Sequence, residues 1–185
     1  MDASALLPPD LSASIREPIQ LRDGTEVHLH AMRGDDGDAL LRFHHQLSPE
    51  TTHLRFFSVH PELSSRELEH FTHVDHWDRE AIVATVDHEI VGVARFDRLP
   101  GGSEAEAAFV VADVWQGEGL GTALFGRLAA RARELGLERF TAEVLPHNRR
   151  MLNLFHRSGL PVTARFRDGV VHVVLDLGND RLTGS

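Results

Sequence analysis

The sequence predicts an α+β domain, a mixed and mostly antiparallel central sheet flanked by helices. Three observations lead there. Residues 81–86 form a continuous apolar run that turns at Asp87-His88-Glu89 and returns over residues 90–96, the pattern of an antiparallel hairpin. Residues 162–166 and 170–177, split by Asp168-Gly169, form a second hairpin with a strong turn signal. Between the two, a strand at 105–111 runs through a Gly-rich loop into a helical pattern, and the full order βααα-ββ-β-α-β-α-ββ suits a mixed sheet.

The elements follow in order. Residues 1–17 are rich in Ala, Ser and Pro and are expected to be a flexible tail, leaving 18–178 as one domain. After a turn at Arg22-Asp23-Gly24-Thr25, residues 26–32 alternate, with Val27 and Leu29 facing one way as in a half-buried strand. Asp35 or Asp36 can cap a helix reaching Gln46, whose Leu40, Leu41 and Phe43, continued by Leu47, have helical spacing. Ser48-Pro49 opens a short helix with Leu54, Phe56 and Phe57 on an apolar face. Ser64-Ser65-Arg66-Glu67 resembles a capped start running towards His73. Leu124, Phe125, Leu128, Ala129 and Ala132 define a helix over 122–135 that Gly136 ends. A short strand at 140–145 follows, then a helix opened by Asn148 with Met151, Leu152 and Phe155 on one face, stopped by Gly159.

Composition narrows the function. The absence of cysteine excludes disulfides, thiolate metal sites and cysteine nucleophiles. A net charge of −9 argues against a nucleic-acid partner, because neutralising phosphates needs a basic surface, and favours cationic partners such as amines. Residues 1–9 carry no basic segment followed by an apolar core, and no apolar run approaches the ~18 residues that span a bilayer. A cytoplasmic protein without a membrane partner is the expectation; oligomeric state is not readable.

The chemistry concentrates in Gln116-Gly117-Glu118-Gly119-Leu120-Gly121-Thr122. Three alternate glycines free the backbone for positive φ and let a ligand approach closely. A strand feeding such a loop, which then opens a helix, aims several N–H groups and the positive end of the helix at one point, a site for phosphate. The spacing fits neither the dinucleotide turn GxGxxG nor the GxxxxGK[ST] loop. A Gly-rich turn with no ligand is the competing reading.

The pattern Q-x-x-G-x-G resembles the acyl-coenzyme-A pyrophosphate loop of the GNAT (Gcn5-related N-acetyltransferase) superfamily. Other pieces agree. Pro146-His147-Asn148 with Met151 and Phe155, then Ser158-Gly159-Leu160, resembles that family's next motif. Leu47-Ser48-Pro49-Glu50, Leu54-Arg55-Phe56-Phe57 and the stretch from Ala105 to Asp113 are similar to the bacterial Pat-type protein lysine acetyltransferase domains. The resemblance implies the GNAT fold, with a cofactor strand splayed from its neighbour and acetyl-CoA in the gap. Main chain at Phe109, Val110 and Val111 would pair with pantetheine. Gln116, Gly117, Glu118, Gly119, Leu120, Gly121 and Thr122 would hold the pyrophosphate, and the Asn148 side chain would touch the cofactor. The regulatory cyclic-nucleotide domain attached to some Pat-type enzymes is not expected in a chain of this length.

The implied reaction is direct acetyl transfer to an amine, on protein lysines such as those of metabolic enzymes. A small amine such as a polyamine or aminoglycoside is the alternative, and a non-catalytic acyl-CoA-binding module a third reading. A lysine ammonium cannot attack a thioester, so a base must take its proton. Glu106 is the candidate, on the cofactor strand between Ala105 and Ala107, where apolar surroundings would raise a carboxylate's pKa; Glu104 is the nearest rival. The usual tyrosine of the Asn motif is Phe155, and the chain has no tyrosine, so a thiolate leaves unassisted or Ser158 or His156 donates. Arg55-Phe56-Phe57 would line the acceptor cleft by the same resemblance, with ordinary packing as the alternative. Trp115 beside the loop is read as a packing residue rather than a cofactor shield. His70, His73 and His76, spaced by three, would share a helix face, but no complete metal site follows.

Overall fold

The computed structural model describes residues 18–178, so the expected tail lies outside the described residues. The strands are β1 (Pro18–Gln20), β2 (Glu26–Ala31), β3 (Arg79–Val86), β4 (Glu89–Arg98), β5 (Glu104–Val111), β6 (Arg139–Val144), β7 (Val162–Arg167) and β8 (Val170–Asp176). The helices are α1 (Gly37–Gln46), α2 (Pro49–Phe56), α3 (Ser65–Thr72), α4 (Leu120–Glu134) and α5 (Arg149–His156), with short 3-10 turns at Gly34–Asp36 and Asp113–Trp115.

The strands form one sheet in the order β1-β2-β3-β4-β5-β6-β8-β7. Every neighbouring pair is antiparallel except β5 and β6, which are parallel because α4 carries the chain across between them. The expected mixed, mostly antiparallel sheet is therefore what the chain builds.

Alternation along the central strands feeds two cores. Ile82 and Ala84 of β3, Ala94 and Phe96 of β4 and Ala105, Ala107 and Phe109 of β5 pack beneath α4 and α5. Ala81, Val83, Ile90 and Val93 face the other way, against Leu40 and Phe43 of α1 and Leu68 and Phe71 of α3. A register shift at Ala84/Thr85 interrupts the β3–β4 ladder. At Gly92 a Cβ would stand 2.9 Å from a methyl of Leu124 and 3.3 Å from one of Leu120, so the glycine lets α4 settle onto β4.

The local signals explain most element ends. Ser48 accepts from the Thr51 N–H and caps α2, with Pro49 at its first position. Ser64 and Glu67 form a reciprocal capping box on α3. One strand lies outside the expectations, and two expectations need correction. The short β1, paired with β2, carries no alternation long enough to read. Helix α4 starts at Leu120, so Gly121 lies inside it. Helix α3 ends at Thr72, leaving His73 as its cap and His76 beyond it with φ 58°, so the three histidines do not share a helix face.

Candidate active site

Strands β5 and β6 pair only at Glu104–Arg139, Ala105–Phe140 and Glu106–Thr141. Beyond Glu106 they part, while β5 stays paired with β4 as far as Val111. This is the splay that the resemblance implied, and it opens a gap lined by main chain. The hydrogen bond from Ala112 N–H to the Val91 carbonyl, at 2.9 Å, turns the even-numbered residues of β5 towards β4. By alternation the amides and carbonyls of Phe109 and Val111 face the gap, whereas those of Val110 face β4. The Val110 side chain instead lines a cavity on the opposite side of the sheet.

At the end of β5 the chain makes the turn that opens α4. Gly117 and Gly119 take φ of +87° and +95°, a left-handed region that a Cβ disfavours. Gly121 differs, with no positive φ; a Cβ there would stand 3.1 Å from a methyl of Leu154 on α5, a tight contact. Arg22 donates its main-chain N–H to the Glu118 carbonyl at 3.2 Å and Nη1 to the Gly117 carbonyl at 3.3 Å. With those carbonyls held towards the β1–β2 turn, the amides of Glu118 and Gly119 point the opposite way. The first bond of α4 runs from Ala123 to Gly119, so the amides of Leu120, Gly121 and Thr122 have no acceptor among the described residues. A concave row of free N–H groups at the start of a fifteen-residue helix fits a pyrophosphate.

The Gln116 side chain braces this turn. Its Nε2 donates to the Val111 carbonyl at 2.9 Å and to the Thr51 hydroxyl at 3.2 Å, and its Oε1 accepts from Arg150 at the start of α5. Asp113 ties the same turn to α2, accepting from the Ser48 hydroxyl at 2.5 Å, the Ser48 N–H at 3.0 Å and the Thr51 hydroxyl at 2.8 Å. Desolvation alone would raise the Asp113 carboxyl, but these hydrogen bonds outweigh it and hold the group below its ordinary value.

A second feature lies on the other face of the sheet. Glu106 is exposed, not enclosed by its alanine neighbours as the sequence suggested. On the same strand face, Ala108 and Val110 line a cavity of about 40 Å³, walled by Met32, Phe43, Phe56 and Phe71 and carrying Arg55 and Arg95. The Arg95 guanidinium is 4.6 Å above the Phe71 ring and that of Arg55 is 4.8 Å above Phe56. Burial, then the neighbouring Arg95 charge, brings Arg55 down to about 10, and burial likewise lowers Arg95. Both also feel the charge of Glu106.

The remaining candidates fall into place. Asn148 caps α5, its Oδ1 accepting from the Met151 N–H at 3.1 Å. Phe155 is 1% exposed and packs with Phe109 and Phe125 at ring separations of 6.0 and 5.9 Å. The Ser158 hydroxyl donates to the Phe155 carbonyl at 2.7 Å, while His156 is exposed. Trp115 packs against both cores. Among the described residues no three His, Asp or Glu side chains assemble around a common metal-sized point. None of the described helices is long and apolar enough to cross a membrane. Sequence reasoning missed Arg95, Asp113 and Arg150, each of which owes its place to a partner distant in the chain.

A splayed β5–β6 pair followed by an amide-rich turn defines an acyltransferase architecture, and comparison with known proteins agrees. Residues 40–160 match the family model described as the acetyltransferase (GNAT) family. The chain belongs to the GNAT acetyltransferases, whose acetyl donor is acetyl-CoA. It is 34% identical over 163 residues to acetyltransferase Pat of Mycolicibacterium smegmatis, a match covering 86% of this chain and 48% of that protein. The chain thus spans about half the length of that relative. Against acetyltransferase PA5475 of Pseudomonas aeruginosa it is 32% identical, covering 72% of this chain and 74% of the relative. The crystal structure of the GNAT domain of S. lividans PAT superposes with a TM-score of 0.84 at 38% identity, covering 89% of this chain and 98% of that one. The structure of yncA from Salmonella typhimurium, solved with its cofactor acetyl-CoA, shares the fold at 20% identity, with a TM-score of 0.68 over 85% of this chain and 96% of that one.

Proposed function

We propose that this chain transfers the acetyl group of acetyl-CoA directly to the ε-amine of lysine on protein substrates, metabolic enzymes among them, with Glu106 as general base. One observation carries the reading: Glu106 is the last residue of β5 paired with β6, so the carboxylate sits where the gap begins. The protein-lysine acceptor follows the resemblance of residues 47–57 and 105–113 to Pat-type protein lysine acetyltransferase domains, and the similarity to the Pat acetyltransferase and the S. lividans PAT domain agrees with that resemblance.

In this reading the amides of residues 117–122 hold the pyrophosphate, and Phe109 and Val111 offer main-chain groups to the pantetheine arm. Asn148, beside that arm at the start of α5, adds a side-chain contact. Acetyl-CoA supplies an activated thioester whose thiol, with an ordinary pKa near 8.5, departs as a thiolate without a protein acid. Glu106 takes the proton from the ammonium, directly or through one water, and its exposure leaves it open to an incoming lysine. Orientation of the two reactants in the gap supplies much of the remaining rate. A polyamine is the weaker acceptor, because it would bring several positive charges towards Arg55 and Arg95.

Labelled acetyl-CoA incubated with the protein and a host lysate tests the acceptor. Label entering proteins supports the proposal; label found only in metabolites would replace it with the small-amine reading.

A further inference from the structure

The acceptor-side cavity holds more positive charge than its own partners use. Arg95 is 5% exposed, and its Nε and Nη2 contact Asp97 at 3.2 and 2.9 Å. Nη2 also lies 3.2 Å from His70 Nε2. Its Nη1 is buried with no hydrogen-bond partner among the described residues. Leaving such a donor unpaired is costly, and more so for a charged group than for a neutral one. Arg55 makes no ion pair within 4 Å among the described residues, and Glu106 reaches it only through space.

The rings beneath the two guanidiniums fix their planes. Phe56 and Phe71 occupy one face of each, and Asp97 takes Nε and Nη2 of Arg95, so the donors left for a ligand are Arg95 Nη1 and the N–H edge of Arg55. A planar carboxylate matches such an edge with paired hydrogen bonds, and apolar walls strengthen the attraction. A cavity of about 40 Å³ admits a group of a few heavy atoms rather than a whole sugar or nucleotide. The site thus stands as a local exception in a chain of net charge −9.

We infer that Arg55 and Arg95 receive a carboxylate carried by the acceptor, so that the enzyme selects amines with an acidic group nearby. This rests on the reading of the β5 gap as the acetyl-transfer site. The same chemistry has two sources: an Asp or Glu beside the target lysine in a protein, or the α-carboxylate of a small amino acid.

Matched acceptors separate them. One pair is a lysine peptide with Glu next to the lysine and its Gln counterpart; the other is free lysine and lysinamide. With acetyl-CoA saturating, the carboxylate member of at least one pair is expected to have a kcat/KM about tenfold higher or more, roughly 1.4 kcal/mol of discrimination. Arg55→Gln and Arg95→Gln should each bring that ratio close to one. Should the buried Arg95 variant fail to fold, the half-buried Arg55 variant carries the test. Preference confined to the free amino acid keeps this inference and removes the protein-lysine reading. Ratios near one in both pairs, with peptides acetylated well, overturn the inference and leave the function standing. If no pair turns over, the same pairs titrated calorimetrically into coenzyme-A-loaded protein decide, and equal affinities overturn it. A preference that survives both substitutions overturns it too.

Discussion

The two halves of this site are built from different materials. On the proposed cofactor half, the groups offered are main chain: the gap-facing edge of β5 at Phe109 and Val111 and the open amides of residues 117–122. On the proposed acceptor half they are side chains on separate elements, Arg55 from α2, Arg95 from β4 and Glu106 from β5. A main-chain site tolerates change in most side chains but not in backbone shape, so its signature is glycine. A side-chain site tolerates backbone drift but not the loss of one charged group. The cofactor half can stay fixed while the acceptor half is retuned.

Substitutions can break that contrast, beginning with the largest effect. Glu106→Gln should lower turnover about 10²-fold or more while coenzyme A affinity, measured by calorimetry, stays as in the parent. Normal turnover would remove Glu106 from the chemistry. Next, Gly119→Val forces a β-branched residue into φ +95° at the mouth of α4, a strain of about 1–3 kcal/mol. Coenzyme A binding should weaken by roughly tenfold or more, with kcat at saturation changing less. A loss confined to kcat would mean that the turn does not hold the cofactor.

A smaller effect is expected at the tie between the halves. Asp113→Asn weakens the bonds to Ser48 and Thr51 and should cost about 1 kcal/mol of stability in thermal unfolding, little because the group is exposed. The sign with pH follows from the lowered native pKa of Asp113. Its contribution is present above the unfolded value near 3.8 and is lost as pH falls through the native value, so parent and variant should converge in acid. Smallest of all, Ser158→Ala should leave kcat far from the ~10²-fold loss of a true general acid, because the Ser158 hydroxyl is spent on the Phe155 carbonyl. A 10²-fold drop there would make Ser158 the donor that Phe155 cannot be.

The same contrast explains what could be read before the fold was known. Hairpins, caps and the glycine turn are local, and Ser48, Ser64, Gly117 and Asp168-Gly169 carry them within a few residues. The splay was implied by resemblance to a family and could not come from periodicity, since it depends on where β6 stops following β5. Arg95 reads as one polar residue in an apolar strand; only β4's place beside β5, with Phe71 of α3 under the guanidinium, brings it to the cavity it shares with Arg55. Asp113 reads as loop polarity and Gln116 as part of the pyrophosphate loop, and their bracing of the turn becomes visible when α2 lies against them. Gly121 takes no unusual φ, and what its missing Cβ allows is the close approach of Leu154.

The most direct test of the cofactor half is a backbone amide NMR titration with coenzyme A. The account predicts the largest shifts at residues 117–122, with Phe109 and Val111 following. Unmoved amides there, with the principal shifts on another part of the sheet, would contradict it.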